Sequence, residues 1–295
     1  MIRLLIFITI LLFSLPVKTY AQTYKFFGVL TLGDKSNQRF TYNLFFTEKE
    51  GKIQGFSITD IGGKHETKNK ISGSYNPKTH AFSFKENEIV YTKSKLSQSI
   101  FCYINYSGSI KFKGKEASLT GKFTGNYNNQ KPCAKGTLNL WGEDALRNIL
   151  IKLDKKLENK SKKDNQTMPI PSLEHSFDSL HKQNISNNEN LNIFIENTKT
   201  IKIFLWDNAA EDGDIVDLFL NDKIILKDFE VLNQKKELLL NLDKEINIIK
   251  IVALNQGTQG LNTVMMSVEG DDAIKFQTNL KTNESSTVTL VKKKQ

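Results

Sequence analysis

The stretch Arg39-Phe40-Thr41-Tyr42-Asn43-Leu44-Phe45-Phe46, RFTYNLFF, decides the fold. Phe40, Tyr42, Leu44 and Phe46 fall on every second position. A helix would scatter them around its axis, whereas a strand sets them all on one face. The segment HAFSFKE repeats the pattern with Phe82 and Phe84. Working outward, residues 23–142 read as nearly continuous β structure. Turns are signalled at Glu50-Gly51, Gly62-Gly63, Asn76-Pro77, Ser107-Gly108 and Asn128-Asn129. About ten short antiparallel strands with turns near every ten residues predict a meander closed into a barrel or curled into a half-barrel, with a sandwich as the alternative. Within this region Ala81–Lys85 and Ile89–Thr92 read as separate strands, as do Ile100–Tyr106 and Ser109–Lys113.

Downstream the period changes. Leu146, Ile149, Leu150, Leu153 and Leu157 repeat at three- and four-residue spacing, which predicts an amphipathic helix over 143–158. Glu143 and Asp144 at its start suit the helix dipole. Residues 159–192 are rich in Asn, Ser and Lys, carry Pro169 and Pro171, and read as a polar linker. His175, Asp178 and His181 within it read as solvated. From 193 to 295 strands return, enough for an antiparallel β-sandwich. Asn221-Asp222 stands where a two-residue hairpin turn belongs, between LFL and KIIL. The expected fold class is therefore all-β: an amino-terminal antiparallel β-barrel-like domain (22–142), a helix and linker, and a carboxy-terminal antiparallel β-sandwich.

The first residues, MIRLLIFITILLFSLPVKTYAQ, have a basic start and an apolar run of about a dozen residues, shorter than a bilayer span. They read as a signal peptide, 1–21, cleaved after Ala21. The mature chain is expected to be exported, to the periplasm or beyond, with no transmembrane segment. In that compartment Cys102 and Cys133, the two cysteines of the chain, are expected to form a disulfide. The formal net charge of +9 is uneven: residues 22–141 hold 18 Lys plus Arg against 8 acids, and residues 196–295 hold 13 against 16. The basic amino-terminal surface suits an anionic glycan or envelope component. Export disfavours nucleic acid.

The densest acid lies in WDNAAEDGDIVDLFLN, residues 206–221: Asp207, Glu211, Asp212, Asp214 and Asp217. An EF-hand is excluded. With Gly213 at loop position 6, Ala210 falls on position 3 and Phe219 on position 12, where oxygen donors are required. A looser calcium site built on Asp207, Asp212, Asp214 and Asp217 remains open, because a cation would relieve the mutual repulsion of these acids. The alternative is a solvated turn whose side chains cap backbone N–H groups. No HExxH, Walker loop or dinucleotide fingerprint is present. Ser57 in GFSIT lacks the second glycine of a nucleophile elbow. No catalytic residue is expected.

WDxxxEDGDIVDLFLN, the later ALNQGTQGLNT and the closing NLKTNESSTVTLV resemble a β-sandwich module attached to exported proteins of Bacteroidota-type bacteria. The strings ITDIGGKHETKNKISGSY, IVYTKS and FCYIN resemble the amino-terminal parts of such proteins. Leu261 and Asp222 depart from that pattern, which prefers proline and glycine there. The resemblance implies architecture and compartment, and no reaction. The functional expectation is a non-enzymatic exported binding or adhesion-type protein of the envelope with calcium as a candidate stabiliser. An envelope or glycan hydrolase and a lipophile carrier are the rivals.

Overall fold

A computed structural model describes residues 21–34, 37–95, 97–114, 116–163, 184–208, 211–258, 260–269 and 274–293. The expected signal peptide, residues 1–20 of it, and the linker histidines lie outside the described residues. Strands β1 (Gln22–Leu32), β2 (Arg39–Lys49), β3 (Lys52–Thr59), β4 (Thr67–Tyr75), β5 (Ala81–Thr92), β6 (Tyr103–Lys113), β7 (Glu116–Asn126) and β8 (Pro132–Gly142) each pair antiparallel with the next. β8 returns to β1, with Phe26 opposite Gly142 and Leu32 opposite Gly136. The result is a closed up-and-down barrel of eight strands. Closure removes the sheet edges of the meander except where β5 and β6 part beyond Lys85–Asn105.

The alternating residues of RFTYNLFF line the lumen. Tyr42 and Leu44 are fully buried there, with Phe26, Phe46, Phe82, Phe84 and Phe123 beside them. Their rings touch: Phe46 lies 5.0 Å from Phe82, and Phe84 lies 5.7 Å from Tyr106. Strand glycines make room for them. Register places Gly28 opposite Tyr42, Gly55 opposite Phe46, Gly73 opposite Phe84, Gly108 opposite Phe82 and Gly136 opposite Phe123. Small beside large is how a narrow barrel fills its taper. This corrects the reading of Ser107-Gly108 as a turn: Gly108 sits inside the unbroken β6. The expected break between Lys85 and Ile89 is likewise absent, and β5 is one strand with bulges at Asn87 and Val90.

Two hairpin turns are as expected. Glu50-Gly51 (φ 54° and 79°) joins β2 to β3, and Asn221-Asp222 (φ 50° and 67°) joins two sandwich strands. Left-handed backbone at both central residues matches the twist of the flanking strands.

Helix α1 (Glu143–Lys163) follows the barrel and runs five residues beyond its expected end. Ala145 is buried against the barrel, whereas Ile149, Leu153 and Leu157 are exposed. The sandwich begins earlier than expected, at β9 (Asn184–Ser186) and β10 (Asn190–Ile195). β11 (Thr200–Trp206), β12 (Ile215–Leu220), β13 (Lys223–Glu230), β14 (Lys236–Asn241), β15 (Ile246–Ala253), β16 (Asn262–Val268), β17 (Ile274–Leu280) and β18 (Ser285–Lys292) complete it. One sheet has the order β13-β12-β15-β18-β10, the other β14-β11-β16-β17-β9. Ile203, Leu218, Ile249, Ile251, Val264, Met266 and Leu290 fill the space between them. The sheets are mixed rather than purely antiparallel, since β10–β18 and β9–β17 are parallel pairs.

Strand β5 belongs to both units. One edge pairs with β4. The other pairs with β6 through Ala81–Lys85 and then with β10 at Tyr91 and Thr92. Val90 and Tyr91 consequently lie in the sandwich core. Lys93 Nζ donates to Asn184 O (2.6 Å), and Lys293 bridges Glu88 of the barrel to Glu196 of the sandwich.

Candidate functional sites

Three groupings could carry chemistry: the barrel exterior, a polar cluster in its lumen, and the acidic connector of the sandwich.

On the exterior, one rung of the barrel runs Ser72, Lys85, Asn105, Thr124, Lys135 across five consecutive strands, β4 to β8. The next rung brings Ser74, Ser83 and Ser107, with Lys122 and Thr137 alongside. Alternation sends these side chains outward because their neighbours Phe84, Tyr106 and Phe123 point in. Lys85, Lys122 and Lys135 are exposed, and among the described residues none of them forms an ion pair. An open groove of about 450 Å³ runs between Lys85 and Lys122, lined by Ser72, Ser83, Asn105, Ser107 and Thr124 and, among the described residues, by no carboxylate. It presents hydroxyl, amide and ammonium groups on a rigid sheet.

Inside the lumen Glu86 is buried. Its Oε1 accepts from Tyr42 Oη (2.8 Å) and Ser57 Oγ (2.5 Å), and its Oε2 accepts from Ile104 N (2.7 Å). Burial raises its pKa above the ordinary carboxylate value, and these bonds together with one from Asn69 offset part of the rise. The Ile104 bond has a structural cause. β5 and β6 stop pairing at Lys85–Asn105, and the Glu86 side chain caps the first N–H that the parting strands release. Ser57 and Tyr42 are wholly enclosed, so this serine meets no substrate. The cluster pins β2 through β6 together.

The acidic connector joins β11 to β12. Asp207 and Asp214 are buried. Asp207 N donates to Leu232 O, and Val231 N donates to Asp214 O, so the backbone of 231–232 holds both ends of the connector. Glu211 turns outward to accept from Asn233 N (2.7 Å). Asp214 Oδ2 accepts from Thr263 N at the start of β16 (2.7 Å), and Asp214 Oδ1 is buried with no hydrogen-bond partner among the described residues. Burial first, then the nearby charges of Asp212 and Asp207, push the Asp214 carboxyl up to about 6. Asn255 clamps the same turn, accepting from Ile215 N and donating to Gly213 O. Asn262 is fully buried and donates to Ile215 O, while its Oδ1 has no hydrogen-bond partner among the described residues.

Of the four acids singled out in the sequence, Asp212 and Asp207 lie near enough for their charges to act on the Asp214 carboxyl, without the three forming a metal-holding group. Asp217 lies apart: it is inside β12 and its Oδ1 accepts from Asp228 N (2.8 Å) across the hairpin. Asn255 and Asn262 escaped sequence reading, although ALNQGTQGLNT carries both. Among the described residues, no three His, Cys, Asp or Glu side chains are grouped to hold a metal by themselves. Of the two tryptophans, Trp206 is packed under Lys235, whose Nζ stands 4.8 Å from the ring. The cysteines form the expected Cys102–Cys133 disulfide. No helix of the described residues is long and apolar enough to cross a membrane. Comparison of the chain with known protein families, with curated proteins and with solved structures finds no match.

Proposed function

We propose that the mature chain is an exported, non-enzymatic binding or adhesion-type protein of the cell envelope, and that the outer face of its barrel engages an anionic glycan. The observation that carries this reading is the carboxylate-free groove between Lys85 and Lys122. Ser, Thr and Asn side chains match sugar hydroxyls, and lysines match the carboxylate or sulfate groups of an acidic polysaccharide. Lys135 extends the positive strip to β8. The leader-like first residues, the disulfide and the resemblance to exported β-rich proteins support the compartment. The lipophile-carrier reading is disfavoured by the lumen, which is packed with aromatic rings. The hydrolase reading is disfavoured by the enclosure of Glu86 and Ser57.

The test is retention of the mature protein on immobilised sulfated or uronate-rich polysaccharide across a salt gradient. Elution should move with ionic strength, because exposed charges are screened within about 10 Å at 0.1 M salt. Replacing Lys85, Lys122 and Lys135 together by alanine should weaken binding about 10- to 100-fold, at about 0.5–1 kcal/mol per exposed contact. Equal retention of the triple variant sinks the proposal, as does failure of the parent protein to bind any acidic glycan at low salt.

A further inference from the structure

We infer that the sandwich carries a calcium site where Asp214, just before β12, meets Asn262 at the start of β16, with Asp214 Oδ1 and Asn262 Oδ1 as fixed donors and Asp207 and Asp212 supplying further charge. This lies beyond the glycan-binding reading and does not depend on it.

The inference rests on two buried oxygens. Asp214 is 1% exposed and Asn262 0% exposed. Each has its other polar atom anchored: Asp214 Oδ2 by Thr263 N, and Asn262 Nδ2 by Ile215 O. The two residues adjoin, since Thr263 follows Asn262 at the start of β16. Each therefore holds an acceptor oxygen at the same end of the sandwich with no donor among the described residues to satisfy it. Buried acceptors without donors are rare in folded proteins, and an anionic one is the most costly. A water could donate to both oxygens. It would leave the charge of Asp214 uncompensated beside Asp212 and Asp207, whereas a cation answers both needs.

Donor chemistry selects the cation. The set contains carboxylate and amide oxygens and no nitrogen or sulfur, which excludes the zinc and copper preferences. With fewer than three suitably grouped carboxylates, amide and main-chain oxygens must complete the shell. Calcium accepts that mixture in irregular loops, and magnesium demands a tighter octahedron and keeps its waters. Gly257 has φ +58°, and a Cβ there would stand 2.6 Å from Asp212 Oδ1, so its loop packs directly against that carboxylate.

The experiment is calorimetric titration of the chelator-treated full chain with calcium chloride, together with thermal melting in calcium and in EGTA. We expect one ion bound per chain and a melting point several degrees higher in millimolar calcium, reversed by EGTA. Magnesium should act at least tenfold more weakly. Asp214→Asn and Asn262→Ala should each weaken calcium binding at least tenfold, and Asp217→Asn should leave it unchanged. In EGTA, Asp214→Asn should melt no lower than the parent, because it removes a buried charge. Absence of heat and of a melting shift in the parent up to about 10 mM calcium overturns the site, as does an Asp217→Asn loss equal to that of Asp214→Asn. If Asp214→Asn fails to fold, the parent titration and Asn262→Ala decide.

Discussion

Glu86 shows what one residue contributes and why it escapes sequence reading. It follows Phe82 and Phe84 in the inward series, yet a charged residue there reads as the end of a strand. Its partners Tyr42, Ser57, Asn69 and Ile104 come from four other strands, which no local pattern links. Its raised pKa has a consequence of definite sign. The folded protein holds this proton to higher pH than the unfolded chain does, so stability falls as pH rises from about 4.5 through the raised value. Glu86→Gln cannot titrate. The stability difference between Glu86→Gln and the parent should therefore shift in the variant's favour from about pH 5 to about pH 8, read from denaturant midpoints. A difference independent of pH would show that Glu86 keeps an ordinary pKa. Tyr42→Phe removes a buried donor to this carboxylate and should cost about 1–3 kcal/mol.

Among the elements, β3 and the disulfide illustrate opposite degrees of legibility. Gly55 stands in mid-strand between Phe46 and Ile71, where a Cβ would lie 2.0 Å from Phe45 O. The backbone must move before any side chain fits. Gly55→Ala should destabilise the barrel by about 3 kcal/mol or more, measured by urea unfolding. A strand glycine in sequence only hints at such a close approach, because the atom that meets it belongs to another strand. The Cys102–Cys133 bridge, by contrast, follows from counting two cysteines in a chain whose first residues read as a leader. It spans 31 residues and ties the start of β6 to β8. Reduction should cost about 3–4 kcal/mol on the chain-entropy account, seen as a lower melting point in reductant. The helix was half legible. Its apolar spacing identifies α1, but only the fold shows that Ala145 is buried while Ile149, Leu153 and Leu157 stay exposed.

For the whole molecule, the shared strand governs behaviour. Because β5 runs from the barrel wall into the sandwich core, the barrel cannot unfold without stripping Val90 and Tyr91 from the other unit. The two units should melt in one calorimetric transition rather than two. Lys293→Ala should lower that transition only slightly, by under about 1 kcal/mol. Its bridge to Glu88 and Glu196 is partly exposed, and such pairs contribute little. Two resolved transitions would mean that the β5–β10 seam opens independently.

The sequence by itself determined the local matters. Period-two alternation assigned most strands, paired turn residues placed the Glu50-Gly51 and Asn221-Asp222 hairpins, and three-and-four spacing placed the helix. Each depends on residues within a few positions of one another. Only the tertiary structure decided which strands close on which, that β5 serves two units, that Glu86 faces inward, and that the start of β16 meets Asp214 while Asp217 turns to the β12–β13 hairpin. Those outcomes depend on contacts across tens of residues, where burial and the need to satisfy every enclosed polar atom choose among arrangements that the local pattern leaves equal.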